Sequence, residues 1–169
     1  MNETMNVFVQ ISIHRMLDHY LPKLTISISI LDTEMLWMHE VEGMNSIGGI
    51  VLHIEEHLKR HIQRYSKSGV LSGGIENCFP DLGISVEGLN ERFSSVMIQW
   101  SKVMTHYTSE EQGSNINEEL NDIYHLVEHT GYHLGQIIDR VQRLTETSFQ
   151  FVQNGINEKN LKEQLRNFL

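Results

Sequence analysis

Apolar residues recur at helical spacing along most of the chain. One such run predicts a helix that starts at a cap provided by Asn45 or Ser46 and continues to about Tyr65. The same spacing predicts a second helix from Ser85 to about Tyr107. A third run, Ile116 to Leu144, predicts a helix of roughly thirty residues, which is long but suits a helical bundle. The pattern therefore favours an all-α fold.

The first 31 residues give a mixed signal. Two stretches, NVFVQISI and LTISISIL, alternate apolar and polar residues as β-strands do. However, apolar residues of the same region can share one broad helical face, and no turn separates the two stretches into a hairpin. We interpret the region as a long helix that is disturbed near Pro22, because proline removes a backbone donor and often kinks a helix.

The segments between the predicted helices lack this periodicity. Residues 32–44 are predicted to form a connector, residues 67–84 a glycine-rich loop and residues 109–114 a break. The tail, NEKNLKEQLRNFL, has the spacing of a short amphipathic helix that packs on the rest of the chain or on a neighbouring chain. The length fits one domain, so we expect a single domain over 1–169.

Composition narrows the classes of partner and compartment. The net charge is −9, and the basic residues form no stripe, so neither nucleic acid nor an anionic membrane surface is an expected partner. Cys78 is the only cysteine, which rules out an intramolecular disulfide and a thiolate metal cluster within one chain. No signal peptide is evident, and the most apolar window carries charged residues, so we expect a cytoplasmic protein.

The histidines are clustered at a spacing of four. Ten histidines placed at random in 169 positions would give on the order of one such pair, and this chain has four. The clusters are two triplets, His53, His57 and His61, and His125, His129 and His133.

This spacing limits how one ion could be bound. Consecutive members of a triplet point to the same side of a helix, but the outer members differ by roughly 80° in direction and about 12 Å in height. Two histidines of one triplet can therefore reach one ion, and a third ligand must come from another helix. Imidazole ligands with a position left to water are typical of a catalytic metal site.

Two segments resemble the DinB-like (damage-inducible protein B and YfiT-like) metalloprotein superfamily. HLVEHTGYHLGQI at 125–137 is similar to the family's HxxxHxxxHxGQI segment, and NSIGGIVLHIEEHL at 45–58 is similar to its second-helix segment. With the helix order, the resemblance covers roughly residues 5–146. It implies a four-helix bundle with one long crossover connection, to which the tail adds a short C-terminal helix, and it implies homodimers.

The resemblance also implies a metal site and a class of reaction. By position, His53, His129 and His133 would be the metal ligands, and the ion would be zinc, nickel, iron or manganese. Characterised relatives use the metal with a low-molecular-weight thiol, so the implied function is thiol transfer of the bacillithiol type to an electrophilic small molecule. A hydrolase that uses metal-bound hydroxide and a non-catalytic metal-binding stress-response protein are the alternatives.

The remaining candidates lie beside the implied ligands or elsewhere in the chain. His57 and His125 lie one turn from the implied ligands, where a role in the site and simple solvation are equally supported. Gly135 is predicted to let a neighbouring helix approach, and Gln136 to hydrogen-bond across the bundle. Other histidines are predicted at the surface or at an interface, and they are His14, His19, His39, His61 and His106. Acidic residues that could orient a ligand are Asp18, Glu55 and Glu128.

Overall fold

The computed structural model describes residues 3–66, 78–109 and 116–166, and every regular element in these ranges is helical. The helices are α1 (Glu3–His14), α2 (Leu21–Ile28), α3 (Thr33–Trp37), α4 (Ile47–Tyr65), α5 (Val86–Ser109), α6 (Ile116–Thr145) and α7 (Glu158–Arg166). The predicted all-α class is confirmed for these residues. The three predicted long helices begin and end close to their expected positions. The predicted loop at 67–84 and break at 109–114 lie largely outside the described residues, although 78–84 contains no helix.

The N-terminal region is helical over most of its length, so its strand-like alternation is misleading. A π-helical turn, Arg15–Tyr20, joins α1 to α2. Its last bond runs from the Leu21 N–H to the Met16 carbonyl, five residues back, instead of the usual four. Because Pro22 has no N–H to continue the ladder, the predicted disturbance takes the form of a π turn just before it.

The polar residues in the strand-like stretches are satisfied inside the helices. The Ser12 hydroxyl donates to the Phe8 carbonyl at 2.8 Å, and the Ser27 hydroxyl donates to the Lys23 carbonyl at 2.7 Å. Ser12 and Ser27 can both be buried because each hydroxyl donates to a carbonyl one turn back in its own helix. Alternating serines therefore need no strand ladder here.

Two short helices flank the long ones. The Asp32 carboxylate accepts a hydrogen bond from the Met35 N–H at 2.7 Å and so caps α3, which lies inside the predicted connector. The predicted C-terminal helix is present as α7, and its Leu161 side chain is buried. Glu158 at the start of α7 forms an ion pair with Arg15 on the π turn, so this helix docks on the N-terminal region.

Helix α4 packs against both α5 and α6. Along α4 and α5, contacts from Glu55 to Arg92 and from Tyr65 to Tyr107 advance together, so these helices are parallel. Along α4 and α6 the order reverses, because Arg64 pairs with Asp122 whereas the Asn45 carbonyl accepts from Arg140 at 2.5 Å. These helices are antiparallel. Side chains buried among them include Ile54, Leu58, Leu89, Phe93, Trp100, Met104, Ile123 and Ile137.

Within the three described ranges, no helix combines the length and the apolar character that crossing a membrane requires.

Candidate metal centre

The antiparallel pairing of α4 and α6 brings one histidine of the first triplet to two of the second. The Nε2 atoms of His53 and His129 are 3.3 Å apart, and those of His133 and His129 are 3.2 Å apart. One ligand atom from each of the three lies within 4.8 Å of the others. His53, His129 and His133 are therefore close enough to hold a metal ion.

These separations match what a tetrahedral ion requires. Two nitrogens bonded at about 2.0–2.1 Å to a tetrahedral ion lie about 3.3–3.4 Å apart. The two separations of 3.3 and 3.2 Å differ little from that value. Bringing these nitrogens onto one ion thus needs only small side-chain movements.

Backbone and side-chain acceptors fix the tautomers of two of the rings. The His53 Nδ1–H donates to the Cys78 carbonyl at 3.1 Å, and the His133 Nδ1–H donates to Gln136 Oε1 at 2.8 Å. Because each acceptor is an oxygen without a proton, the hydrogen must lie on Nδ1 in both rings. The Nε2 atoms of His53 and His133 then carry lone pairs that face His129, as metal coordination requires.

The three nitrogens cannot satisfy one another with hydrogen bonds. A neutral His129 ring can place one proton on Nε2 and can direct it to only one of the two facing lone pairs. If that proton lies on Nδ1 instead, three lone pairs face each other, and the buried Nδ1 has no hydrogen-bond partner among the described residues. A cation at the centre relieves this repulsion, because it accepts all three lone pairs at once.

The surroundings keep the imidazoles uncharged at neutral pH. Burial, together with the neighbouring His57 and His133 rings, lowers the pKa of His129 to about 3. Burial likewise lowers the pKa values of His53 and His133. Protons therefore do not supply the missing positive charge at neutral pH, and the rings are in the form that binds metals.

The residues next to the trio leave one flank covered and another accessible. The Phe79 ring stacks on His53 with centroids 4.2 Å apart. His57 lies half-buried against His129, with ring centroids 4.1 Å apart, and its Nε2 is buried without a partner in the described part of the chain. His125 is exposed, as is Tyr132, whose ring lies 5.2 Å from that of His133. The solvent-facing flank is thus formed by α6.

Other predicted candidates lie elsewhere. Glu55 does not orient a ligand, because its buried carboxylate pairs with Arg92 at 2.7 and 2.9 Å and with Lys59. Asp18 pairs with His14 at 2.5 Å. Glu128 is exposed on α6.

Three expectations about single residues need correction. His61 is buried, not at the surface, and its Nδ1 accepts from Trp100 Nε1 at 3.1 Å. His19 is also buried, with its Nε2 2.9 Å from Lys23 Nζ. Gly135 is exposed, and apart from its own helix backbone no atom of the described residues lies within 4 Å of a Cβ placed there, so none of the described helices approaches it.

One contributor to the site was expected in a different role, and two others carried no signal in the sequence. Gln136 was expected to bond across the helices, but it bonds to His133 on its own helix. Cys78 acts through its backbone carbonyl, although it lies 25 residues from His53 in the sequence. Phe79 acts through the contact between its ring and that of His53. A backbone acceptor can come from any residue type, so only the fold reveals it.

No family model, curated protein or solved structure matches this chain. The family resemblance therefore stays a prediction, and the function is inferred from the geometry of the histidines.

Proposed function

We propose that His53, His129 and His133 bind one divalent transition-metal ion, through which the protein acts on a small-molecule substrate. The observation that carries this proposal is the convergence of three Nε2 atoms from two antiparallel helices, with separations of 3.3 and 3.2 Å. Imidazole suits zinc, nickel and iron, and manganese remains a further candidate from the family resemblance.

Three protein ligands leave room for an external molecule. Catalytic zinc sites commonly use three protein ligands and keep the remaining position for water or substrate, whereas structural sites are closed by four. His53, His129 and His133 form the one such group of histidine, cysteine and acidic side chains found in the described ranges. The exposed flank formed by His125 and Tyr132 is where a substrate would approach.

We further propose that the fold is a DinB-like four-helix bundle. The bundle would comprise the α1 to α2 region, α4, α5 and α6, with α7 added at the end. The parallel course of α4 and α5 supports this, because neighbouring parallel helices need a long connection that returns to the starting end. A homodimer belongs to the same proposal, and sedimentation equilibrium of the full chain tests it.

The reaction we propose is transfer of a low-molecular-weight thiol to an electrophilic carbon. A bound divalent metal supplies stabilisation of the thiolate form of the thiol. The thiolate sulfur forms a bond to the carbon, the leaving group departs with its bonding electrons, and the thiol proton passes to solvent. The chain contributes neutral imidazoles held by Cys78 and Gln136, and Phe79 covers the His53 side.

A rate measurement tests this function. Metal-loaded protein is incubated with a bacterial low-molecular-weight thiol and 1-chloro-2,4-dinitrobenzene, and the thioether product is followed. We expect a rate above the uncatalysed reaction that is lost in His129→Ala and kept in His106→Ala, an exposed histidine on α5.

The outcomes separate the alternatives. Hydrolysis of an activated ester without thiol would favour the hydrolase, because a bound metal would lower the pKa of its water ligand to about 7. Metal binding without any rate gain over several thiols and metals would favour a non-catalytic, stress-response role.

A further inference from the structure

The segment 78–84 contacts the candidate metal site at its first two residues. The Cys78 carbonyl accepts from His53 Nδ1 at 3.1 Å, and the Phe79 ring stacks on the His53 ring. Both contacts bear on the same ligand, the only one of the three that α4 provides. The position of this segment therefore determines where the His53 ring points.

Asp81 anchors that segment to the start of α4. One oxygen of its carboxylate accepts from the Ser46 hydroxyl at 2.5 Å, and the other accepts from His39 Nε2 at 2.6 Å. Ser46 also caps α4 by accepting from the Gly49 N–H at 2.9 Å. The backbone passes so close that a Cβ on Gly49 would lie 3.2 Å from the Phe79 carbonyl oxygen.

Both ring nitrogens of His39 lie within hydrogen-bond distance of an acceptor. Its Nδ1 lies 2.6 Å from the Met44 carbonyl oxygen, and its Nε2 lies 2.6 Å from Asp81. A carbonyl and a carboxylate can only accept, so both contacts are hydrogen bonds only when both ring nitrogens carry protons and the ring is a cation. A second hydrogen bond joins the residues before α4 to segment 78–84, from Trp37 Nε1 to the Ile84 carbonyl at 2.8 Å. It involves no titratable group.

We propose that Asp81 is a positioning residue for the three-histidine site, and that protonated His39 holds it in place through the hydrogen bond from His39 Nε2, called the lock below. Asp81 holds the 78–84 segment against Ser46, and this segment holds the His53 ring with its Nε2 toward His129 and His133. The inference rests on the proposed metal site and adds to it a pH-dependent control of metal affinity.

The charges around His39 set the direction of this control. Its hydrogen bonds to Asp81 and to the Met44 carbonyl raise its pKa above the ordinary value. Nearby charged residues are engaged elsewhere, since Glu40 pairs with Arg143 at 3.0 Å and Arg140 donates to the Asn45 carbonyl. As pH rises through the His39 pKa, one ring nitrogen becomes a lone pair facing an oxygen, and the lock weakens.

The test uses Co²⁺ as the probe metal, whose visible absorption reports the geometry of its ligands. Affinity is measured by chelator competition for the wild type, Asp81→Asn and the matched control Glu158→Gln. Glu158 is an exposed acid that pairs with Arg15 and touches neither segment 78–84 nor the three histidines. We expect about a tenfold loss of affinity in Asp81→Asn, the effect typical of residues that orient a metal ligand, and no loss in Glu158→Gln.

A second variant tests the lock itself. The glutamine side chain in His39→Gln does not titrate. The ratio of wild-type to variant affinity for Co²⁺ therefore isolates the effect of the proton on His39. We expect this ratio to fall about two- to tenfold between pH ~6 and pH ~8.5, which corresponds to one hydrogen bond. Deprotonation of the ligand histidines affects both proteins alike and cancels in the ratio.

The failures of the two proposals are distinguishable. Should the wild type bind no Co²⁺, the metal site is wrong and this inference falls with it. Tight binding by the wild type together with unchanged affinity in a folded Asp81→Asn overturns this inference alone. If Asp81→Asn loses its helical circular dichroism, the His39→Gln ratio decides, and a ratio that is constant with pH rejects the lock.

Discussion

Two of the three ligand histidines, His53 and His133, depend on hydrogen bonds to neighbours that are not histidines. The amide of Gln136 accepts from His133 Nδ1 and leaves Nε2 free for a metal. In Gln136→Leu this acceptor is lost, so the ring can rotate or adopt the other tautomer. We expect about a tenfold loss of Co²⁺ affinity, measured by chelator competition.

Another glutamine on the same helix provides the control. Gln142 accepts from the Phe149 N–H at 3.1 Å and lies more than two turns beyond His133. Gln142→Leu should bind Co²⁺ with wild-type affinity. Equal losses in both variants would mean that the Gln136 effect comes from general destabilisation of α6.

Acid should destabilise the fold through His61. Burial lowers the pKa of His61 to about 3, below the ordinary value of about 6.5 that applies in the unfolded chain. Its contribution to stability is therefore complete above about pH 6.5 and is lost as pH falls from there toward 3. His61→Gln should be less stable than wild type at neutral pH by about 1–2 kcal/mol, because a weaker acceptor faces Trp100.

Urea unfolding of the metal-free proteins checks this prediction. The difference in unfolding free energy between wild type and His61→Gln should shrink between about pH 7 and about pH 5, because protonation of this ring stabilises the unfolded state of the wild type alone. A difference that stays constant over this range would show that His61 does not titrate with unfolding.

At this scale the sequence predicted the proximity of the ligand trio but not its supports. The spacing of four limits each triplet to two ligands for one ion, and the family resemblance selected His53, His129 and His133. The Cys78 carbonyl and the Phe79 ring were missed because their contacts depend on how a distant segment crosses α4. His61 was expected at the surface or at an interface, and its burial was missed because its partner, Trp100, lies on another helix.

At the scale of the helices, two glycines on α4 and α6 should respond oppositely to alanine. A Cβ on Gly48 would lie 2.5–2.7 Å from the Trp37 ring, which is held by its hydrogen bond to the Ile84 carbonyl. Gly48→Ala should therefore destabilise the protein by about 1–3 kcal/mol. Gly135 has open space around it, so Gly135→Ala should stabilise α6 by about 0.5–1 kcal/mol.

Thermal and urea unfolding of both variants gives the comparison. A neutral Gly48→Ala would show that the Trp37 ring moves aside at little cost, and the close packing of α3 on α4 would then contribute little. Loss of stability in Gly135→Ala would contradict the exposed position of that glycine.

Helix prediction succeeded where apolar residues kept helical spacing over a long run. It failed where local polar contacts determine the secondary structure. The runs that became α4, α5 and α6 are long enough for their period to identify them. The N-terminal alternation was ambiguous because Ser12 and Ser27 hydrogen-bond to carbonyls of their own helices. A polar residue in the sequence does not show whether its side chain makes such a bond. Helix α3 was missed although Asp32 carries a cap signal, because five residues are too few for a period to appear.

For the whole molecule, a bound metal should hold α4 and α6 together and so stabilise the folded state. The ligands come from two helices that meet only in the folded state, so binding favours folding. Free metal at a hundred times its dissociation constant should raise the unfolding free energy by about 2.7 kcal/mol. Thermal melts with and without Zn²⁺ should show a higher midpoint for the wild type and no shift for His129→Ala.

The three-histidine metal site is tested most directly by the metal stoichiometry and affinity of single histidine variants. Isothermal titration with Zn²⁺, on protein purified without a histidine tag, compares the wild type with alanine variants of the six clustered histidines. The three-histidine site predicts one ion per chain. It also predicts at least a hundredfold loss in affinity at positions 53, 129 and 133 and a smaller loss, about tenfold or less, at 57, 61 and 125. Wild-type affinity in His129→Ala, or equal losses at all six positions, would contradict it.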